Sequence, residues 1–132
     1  MTNRSHARLE GLYLLTATLL ISHQVDSAYW QEWNLFGMGG GIQLFTLLNV
    51  PLILAALYGL VQVVREPRVG AQCGVALSVV GMAAFLIHAW FLYRGRPEFR
   101  VPASLIVLGC ALVTSLGLAW QSTRILRVSA AR

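Results

Sequence analysis

Residues 69–93 read VGAQCGVALSVVGMAAFLIHAWFLY and contain no Asp, Glu, Lys or Arg. A run of this length and composition is typical of a bilayer-crossing helix, because such a helix needs about 20 mainly apolar residues. The run also contains one histidine, His88, near its end. This stretch therefore predicts the class of fold and places a polar group inside a membrane.

Three further apolar runs extend the pattern, at about residues 9–30, 42–64 and 101–122, and short polar links join all four. The composition agrees, since 57% of the 132 residues are hydrophobic, 11% are charged and the mean hydropathy is +0.66. Short links require neighbouring helices to run antiparallel. We therefore predict an all-α fold, a four-transmembrane-helix antiparallel bundle in which residues 1–132 form a single integral membrane domain.

Arginine is the only basic residue type besides histidine, and its distribution predicts the orientation of the bundle. One side carries Arg4, Arg8, Arg65, Arg68, Arg124, Arg127 and Arg132, whereas the other carries Arg94, Arg96 and Arg100. This bias predicts that both termini lie in the cytoplasm. The arginines flank apolar runs instead of forming one patch, so the net charge of +5 does not indicate nucleic-acid binding.

Aromatic residues support the limits of the spans. Trp30, Trp33 and Trp90 lie near the predicted outer ends of the first and third runs. Tryptophan is enriched at membrane–water interfaces, so this group is predicted to form an aromatic belt there.

The first run contains His23 and Asp26, which are three residues apart and share one helical face. A charged carboxylate in hydrocarbon costs about 3 kcal/mol by insertion scales, so such residues are usually functional. His88 lies at a similar depth in the third run, which has the same direction. Glu32 is predicted to join these residues only if the first helix ends or bends near Trp30, and Glu98 is predicted either to fold back over the bundle or to pair with an arginine.

Several chemistries fit this set of residues. Two imidazoles with carboxylates suit a metal ion such as iron, zinc or manganese. Two histidines at one depth could instead hold a haem, and a His–Asp pair could transfer protons. In the structural alternative, these side chains bond to each other or to the backbone and hold the helices together. The sequence leaves open whether the protein is an enzyme.

The spacing His23-x-x-Asp26, followed by Glu32-Trp33, resembles the first-span motif of a family of small bacterial four-helix membrane proteins of unknown function. That motif reads His-Glu-x-Asp-Ala and is followed closely by His-Glu-Trp. The later His88-x-x-Phe91, with Pro97 and Phe99 after it, is similar to the second motif of that family. This chain differs at Gln24 and Gln31, where the family has Glu and His.

The resemblance implies that His23, Asp26, Glu32 and His88 are the residues to test as a polar or metal site. We expect the protein to lie in a bacterial inner membrane. Three functions remain open at this point. In the first, the polar site toward the outer face binds a metal, a haem or a small ligand, or passes protons. In the second, the protein is an accessory subunit that packs against a larger membrane complex or a second copy of itself. A small transporter or channel ranks last, because four spans without an inverted repeat are few for a transporter.

Overall fold

The computed structural model describes residues 3–96 and 101–130. These residues form four α-helices: α1 (Asn3–Tyr29), α2 (Gly41–Arg65), α3 (Pro67–Tyr93) and α4 (Pro102–Ala130). A short 3₁₀ turn, Glu32–Asn34, lies between α1 and α2. The predicted all-α fold with four helices is therefore confirmed.

Within the described residues, α2, α3 and α4 are long and apolar enough to cross a membrane. The protein therefore has the helices of an integral membrane protein. The first helix is not among these three, because polar residues such as His23, Gln24 and Asp26 interrupt its apolar sequence. Its role as a fourth span stays a prediction, as does the orientation of the bundle.

One face of α1 forms the centre of the bundle. Most of its buried side chains recur every three or four residues, which is the period of a helix packed along one stripe. The buried residues are Leu9, Tyr13, Thr16, Ala17, Leu20, His23 and Ser27. The polar members of this stripe are buried inside the bundle together with the apolar ones. The face of α1 that holds His23 is consequently fixed by the same packing that holds the helices together.

The most extensive helix contact joins α3 and α4, and glycines make it close. Gly74 faces the Ser122 hydroxyl, and Gly81 faces the Ser115 hydroxyl, so that a Cβ at either glycine would collide with the serine. All four residues are buried. Small residues let membrane helices approach closely, and the same stripe on α3 continues to the buried His88.

Two hydrogen bonds to neighbouring helices hold the first half of α1 in the bundle. At the end where α1 begins and α4 finishes, the Gln121 amide donates a hydrogen bond to the Ser5 carbonyl at 2.8 Å. Further along, the Tyr13 hydroxyl donates to the Ala56 carbonyl of α2 at 3.1 Å. We call the opposite end of the bundle, where α1 and α3 finish, the site end.

Candidate functional site

Three buried side chains meet at the site end. His23 comes from α1, Glu32 from the 3₁₀ turn and His88 from α3. Each of the three residues has only 5% of its surface exposed. One potential ligand atom from each lies within 4.8 Å of those from the other two. The fold therefore brings three of the four sequence-predicted site residues into one group.

The backbone after α1 explains why Glu32 reaches this group. The helix ends at Tyr29, and Gln31 adopts a left-handed conformation with φ 52° and ψ 46°. This conformation ends a helix and reverses the direction of the chain. Glu32 then begins the 3₁₀ turn and points back into the bundle. The sequence predicts that Glu32 joins the site only if the first helix ends or bends near Trp30, and the helix does end there.

His88 is held by a backbone hydrogen bond on one ring nitrogen and faces Glu32 with the other. Its Nδ1 lies 2.7 Å from the Ala84 carbonyl oxygen, so Nδ1 carries the hydrogen and donates it. Its Nε2 lies 3.1 Å from Oε1 of Glu32. In a neutral ring with this tautomer, Nε2 presents a lone pair to the carboxylate. Two hydrogen-bond acceptors repel each other at this distance, and a proton or a metal cation between them removes the repulsion.

His23 completes the group from the side of α1. Its ring centroid lies 4.5 Å from that of His88, with the two rings nearly perpendicular at 80°. The Ser27 hydroxyl, 2% exposed, lies 3.5 Å from Nε2 of His23. Rings in edge contact leave no space for a porphyrin between them, so the haem interpretation of the two histidines does not fit this geometry.

The other predicted carboxylates are placed differently. Asp26 is only partly buried, and the group that the described residues form does not include it. Glu98 lies outside the described residues. The aspartate that makes the first motif conspicuous in the sequence therefore lies beside the three-residue group and is not one of its members.

Aromatic residues of the segment after α1 fix the turn that carries Glu32. Trp33 is 7% exposed and packs on Phe45 of α2, with 5.3 Å between ring centroids. Phe36 packs on Phe91 of α3 at 5.4 Å. The ring of Trp33 therefore fills space between the turn and α2, and its place in an aromatic belt at the membrane interface stays a prediction. In the sequence, the signal for this burial was the position of Trp33 directly after Glu32.

The fold and the site together define a class: a small helical protein with membrane-compatible helices and a buried His/Glu/His group at one end. The chain belongs to the family of unknown function DUF6713, whose model matches residues 9–125. This agrees with the resemblance to an uncharacterised family, whereas the two motifs themselves stay a prediction. No curated protein and no solved structure is significantly similar to the chain.

Proposed function

We propose that this protein is an integral membrane protein that binds one divalent transition-metal ion through His23, Glu32 and His88. The single observation that carries the proposal is the convergence of two imidazoles and one carboxylate within 4.8 Å at a buried position. Asp26 is proposed to act from outside this set, where its negative charge favours a bound cation.

The separation of the ligand atoms supports a metal. Ligands about 2.0–2.1 Å from one zinc ion in tetrahedral geometry lie about 3.3 Å from each other. The 3.1 Å between His88 Nε2 and Glu32 Oε1 is close to this value. The hydrogen bond from His88 Nδ1 to the Ala84 carbonyl is the usual way in which a metal-ligating histidine is oriented.

The choice of ligands favours zinc or ferrous iron. Imidazole suits Zn²⁺ and Fe²⁺, and two histidines with one carboxylate occur in both catalytic zinc sites and non-haem iron sites. Three protein ligands leave a coordination position for water or a small ligand. We propose that the buried Ser27 hydroxyl, which already neighbours His23, donates to whatever fills that position.

The membrane placement of the site rests on α1 as a fourth span. The polar residues Thr16, His23 and Ser27 are buried in the bundle, whereas Leu14, Leu15 and Val25 are exposed, so these three polar groups would not meet lipid in a membrane. We propose that all four helices cross a bacterial inner membrane as one domain.

The arginines support an orientation with both termini in the cytoplasm. The end opposite the site carries six exposed arginines within the described residues: Arg4, Arg8, Arg65, Arg68, Arg124 and Arg127. The site end carries Arg94 and Arg96. Because cytoplasmic segments are enriched in arginine and lysine, the metal site is proposed to lie toward the outer face.

A second candidate function uses the same group without a metal. The 3.1 Å contact between His88 and Glu32 favours a shared proton as well as a cation, and such pairs transfer protons in membrane proteins.

The accessory-subunit function is supported by α2, which buries less of itself in the bundle than α3 or α4 and leaves an apolar face for lipid or a protein partner.

Metal content tests the proposal. The protein is purified in mild detergent after growth with zinc or iron, and bound metal is measured by elemental mass spectrometry beside a His23→Ala, His88→Ala double variant. We expect one metal ion per chain in the natural sequence and almost none in the variant. A substitution of the third histidine, His6→Ala, is the matched control, because His6 lies at the opposite end of α1 and pairs with Glu10 at 2.8 Å.

The outcomes separate the candidates. If neither protein contains metal, and added Zn²⁺ or Fe²⁺ does not bind, the metal proposal is wrong and the proton pair becomes the better interpretation. Equal metal content in the natural sequence and the double variant would place the metal elsewhere. A larger protein that co-purifies in mild detergent would support the accessory-subunit function.

A further inference from the structure

A groove separate from the His/Glu/His group lies between α1, α2 and α3, and its volume is about 340 Å³. Its walls are formed mainly by alkyl side chains, among them Ala17 and Leu20 of α1, Ile53 and Ala56 of α2, and Ala76 and Val80 of α3. None of the three residues of the His/Glu/His group lines it. This size is within the range of ligand sites, which often lie between the helices of bundles.

The surroundings of the groove determine the chemistry of its occupant. Two of its walls, α2 and α3, belong to the helices that are apolar enough to cross a membrane. The groove is partly open, so in a bilayer it faces hydrocarbon and not water. At the end near Tyr13, the hydroxyl of that residue already donates to the Ala56 carbonyl. The walls therefore match an alkyl chain along most of their length.

Gln24 adds a polar group at the other end of the groove. Its side chain lines the groove, is partly buried and makes no hydrogen bond to another described residue. An amide without a hydrogen-bond partner is unfavourable in hydrocarbon, because no water is present to replace the missing partner. A ligand that carries a hydrogen-bonding group at this point of its chain would remove this penalty.

We infer that the groove binds one acyl chain of a membrane phospholipid, with the ester carbonyl of that chain accepting a hydrogen bond from the Gln24 amide. From Tyr13 to Gln24 the axis of α1 rises about 16 Å, at 1.5 Å per residue. An acyl chain that starts near the outer face can extend inward along this length. The inference requires insertion of the protein in a membrane, but it does not require a metal at the His/Glu/His group.

Photolabelling in nanodiscs tests the groove. The discs contain phosphatidylcholine and a small fraction of a phosphatidylcholine probe with a diazirine in one acyl chain, and labelled residues are located by mass spectrometry of peptides. We expect label on groove residues of α1, α2 and α3. Ala55→Leu and Ala76→Leu add bulk at exposed positions of the groove wall, so each should strongly reduce groove labelling.

The matched control is Ala103→Leu, the same substitution at an exposed position of α4 outside the groove, which should leave labelling unchanged.

A diether analogue of the probe tests the hydrogen bond between Gln24 and the ester carbonyl, because the analogue lacks that carbonyl. We expect the diester probe to label the natural sequence about threefold more than the diether probe, the effect of an average hydrogen bond within a membrane. In Gln24→Leu the two probes should label equally.

Three results would overturn the inference. Label spread evenly over the outer surfaces of α2 and α4, unaffected by Ala55→Leu or Ala76→Leu, would show only surrounding lipid. An unlabelled groove in a particle with the mass of a dimer would assign the groove to a second copy of the chain. Equal labelling by diester and diether probes in the natural sequence would remove the role of Gln24. Because the readout is lipid contact, failure of the metal proposal leaves this test unaffected.

Discussion

Nε2 of His88 lies 3.1 Å from Oε1 of Glu32, although the two residues are 56 positions apart in the chain. Neither side chain is more than 6% exposed. Because Nδ1 of the same histidine donates to the Ala84 carbonyl, the contact places a ring lone pair against a carboxylate unless a proton or a cation lies between them. This relationship makes Glu32 the residue whose substitution is most informative.

Glu32→Gln should lower metal affinity by more than tenfold. The amide keeps the shape of the side chain but loses the negative charge and one good ligand atom. Loss of a residue that merely orients a ligand costs 10–100-fold in affinity, so loss of a ligand should cost at least as much. Titration of the metal-free protein with Zn²⁺ in detergent gives the affinity.

Glu10→Gln provides the control for this substitution. Glu10 also pairs with a histidine, His6, at 2.8 Å, but its side chain is 37% exposed and lies at the other end of the bundle. Its loss should leave the affinity for Zn²⁺ unchanged. If both substitutions lower the affinity equally, the metal does not bind at the His/Glu/His group.

Much of this site could be predicted from the sequence, and the reason differs for each residue. His23 and His88 lie on separate apolar runs at similar depth, so helical periodicity and polarity were enough to place them together. The same argument predicted Asp26 as a member, but its angular position on α1 leaves it outside the group. Helical periodicity alone places two residues that are three positions apart on the same face and does not separate their directions. Gly74 and Gly81 also lie seven residues apart in the sequence, which places them on one face of a helix, and both are buried against α4.

The positions of Glu32 and Trp33 could not be predicted from helical periodicity. On a continuous helix, Glu32 points away from His23, and only the end of α1 at Tyr29 reverses it. That reversal depends on a left-handed glutamine, a conformation that non-glycine residues rarely adopt. Trp33 was placed at an interface because of its residue type, whereas its burial depends on the path of the same turn.

The conformation of Gln31 leads to a second prediction. Gln31→Gly should raise the free energy of unfolding by about 1 kcal/mol, because glycine adopts positive φ without the strain of a side chain. Gln31→Val should lower the free energy of unfolding by a similar amount or more, since a β-branched residue is strongly disfavoured there. Unfolding by SDS, followed by circular dichroism, measures both changes.

The same pair of variants tests the link between the turn and the site. Metal content should be unchanged in Gln31→Gly and reduced in Gln31→Val, because displacement of the turn moves Glu32 away from His88. Gln31→Asn serves as the control, since asparagine tolerates left-handed conformations. Full metal content in Gln31→Val would show that the turn does not determine the position of Glu32.

The close contact between α3 and α4 gives a third prediction. A Cβ at Gly81 would collide with the Ser115 hydroxyl, so Gly81→Ala should destabilise the bundle by about 1–3 kcal/mol, the usual effect of overpacking. Combining it with Ser115→Ala should restore most of the loss, because that change removes the colliding oxygen. This oxygen makes no hydrogen bond with the described residues.

Gly109→Ala is the matched control for this helix pair. Gly109 lies in α4, the partner of α3 in this contact, and nothing is within 4 Å of the position that its Cβ would occupy. Alanine has the higher helix propensity by about 1 kcal/mol, so this variant should be as stable as the natural sequence or slightly more so. If Gly81→Ala proves as stable as Gly109→Ala, the α3–α4 contact is looser than the structure has it.

Cysteine labelling tests both the orientation and the fourth span. The two natural cysteines, Cys73 and Cys110, are first replaced by alanine, and single cysteines are then introduced at exposed positions. Arg96→Cys and Asn34→Cys lie at the site end and should react with a membrane-impermeant maleimide in intact cells. Arg8→Cys and Glu66→Cys lie at the opposite end and should react only after the membrane is permeabilised.

The pattern of labelling distinguishes a wrong orientation of the bundle from a wrong assignment of α1 as a membrane span. Reaction of position 66 but not position 96 in intact cells would reverse the orientation and place the His/Glu/His group toward the cytoplasm. Reaction of positions 8 and 34 from the same side would mean that α1 does not cross the membrane. In that case, the polar stripe with His23 and Ser27 would be buried by helix packing alone, and a bound cation would meet less of the electrostatic penalty that hydrocarbon imposes.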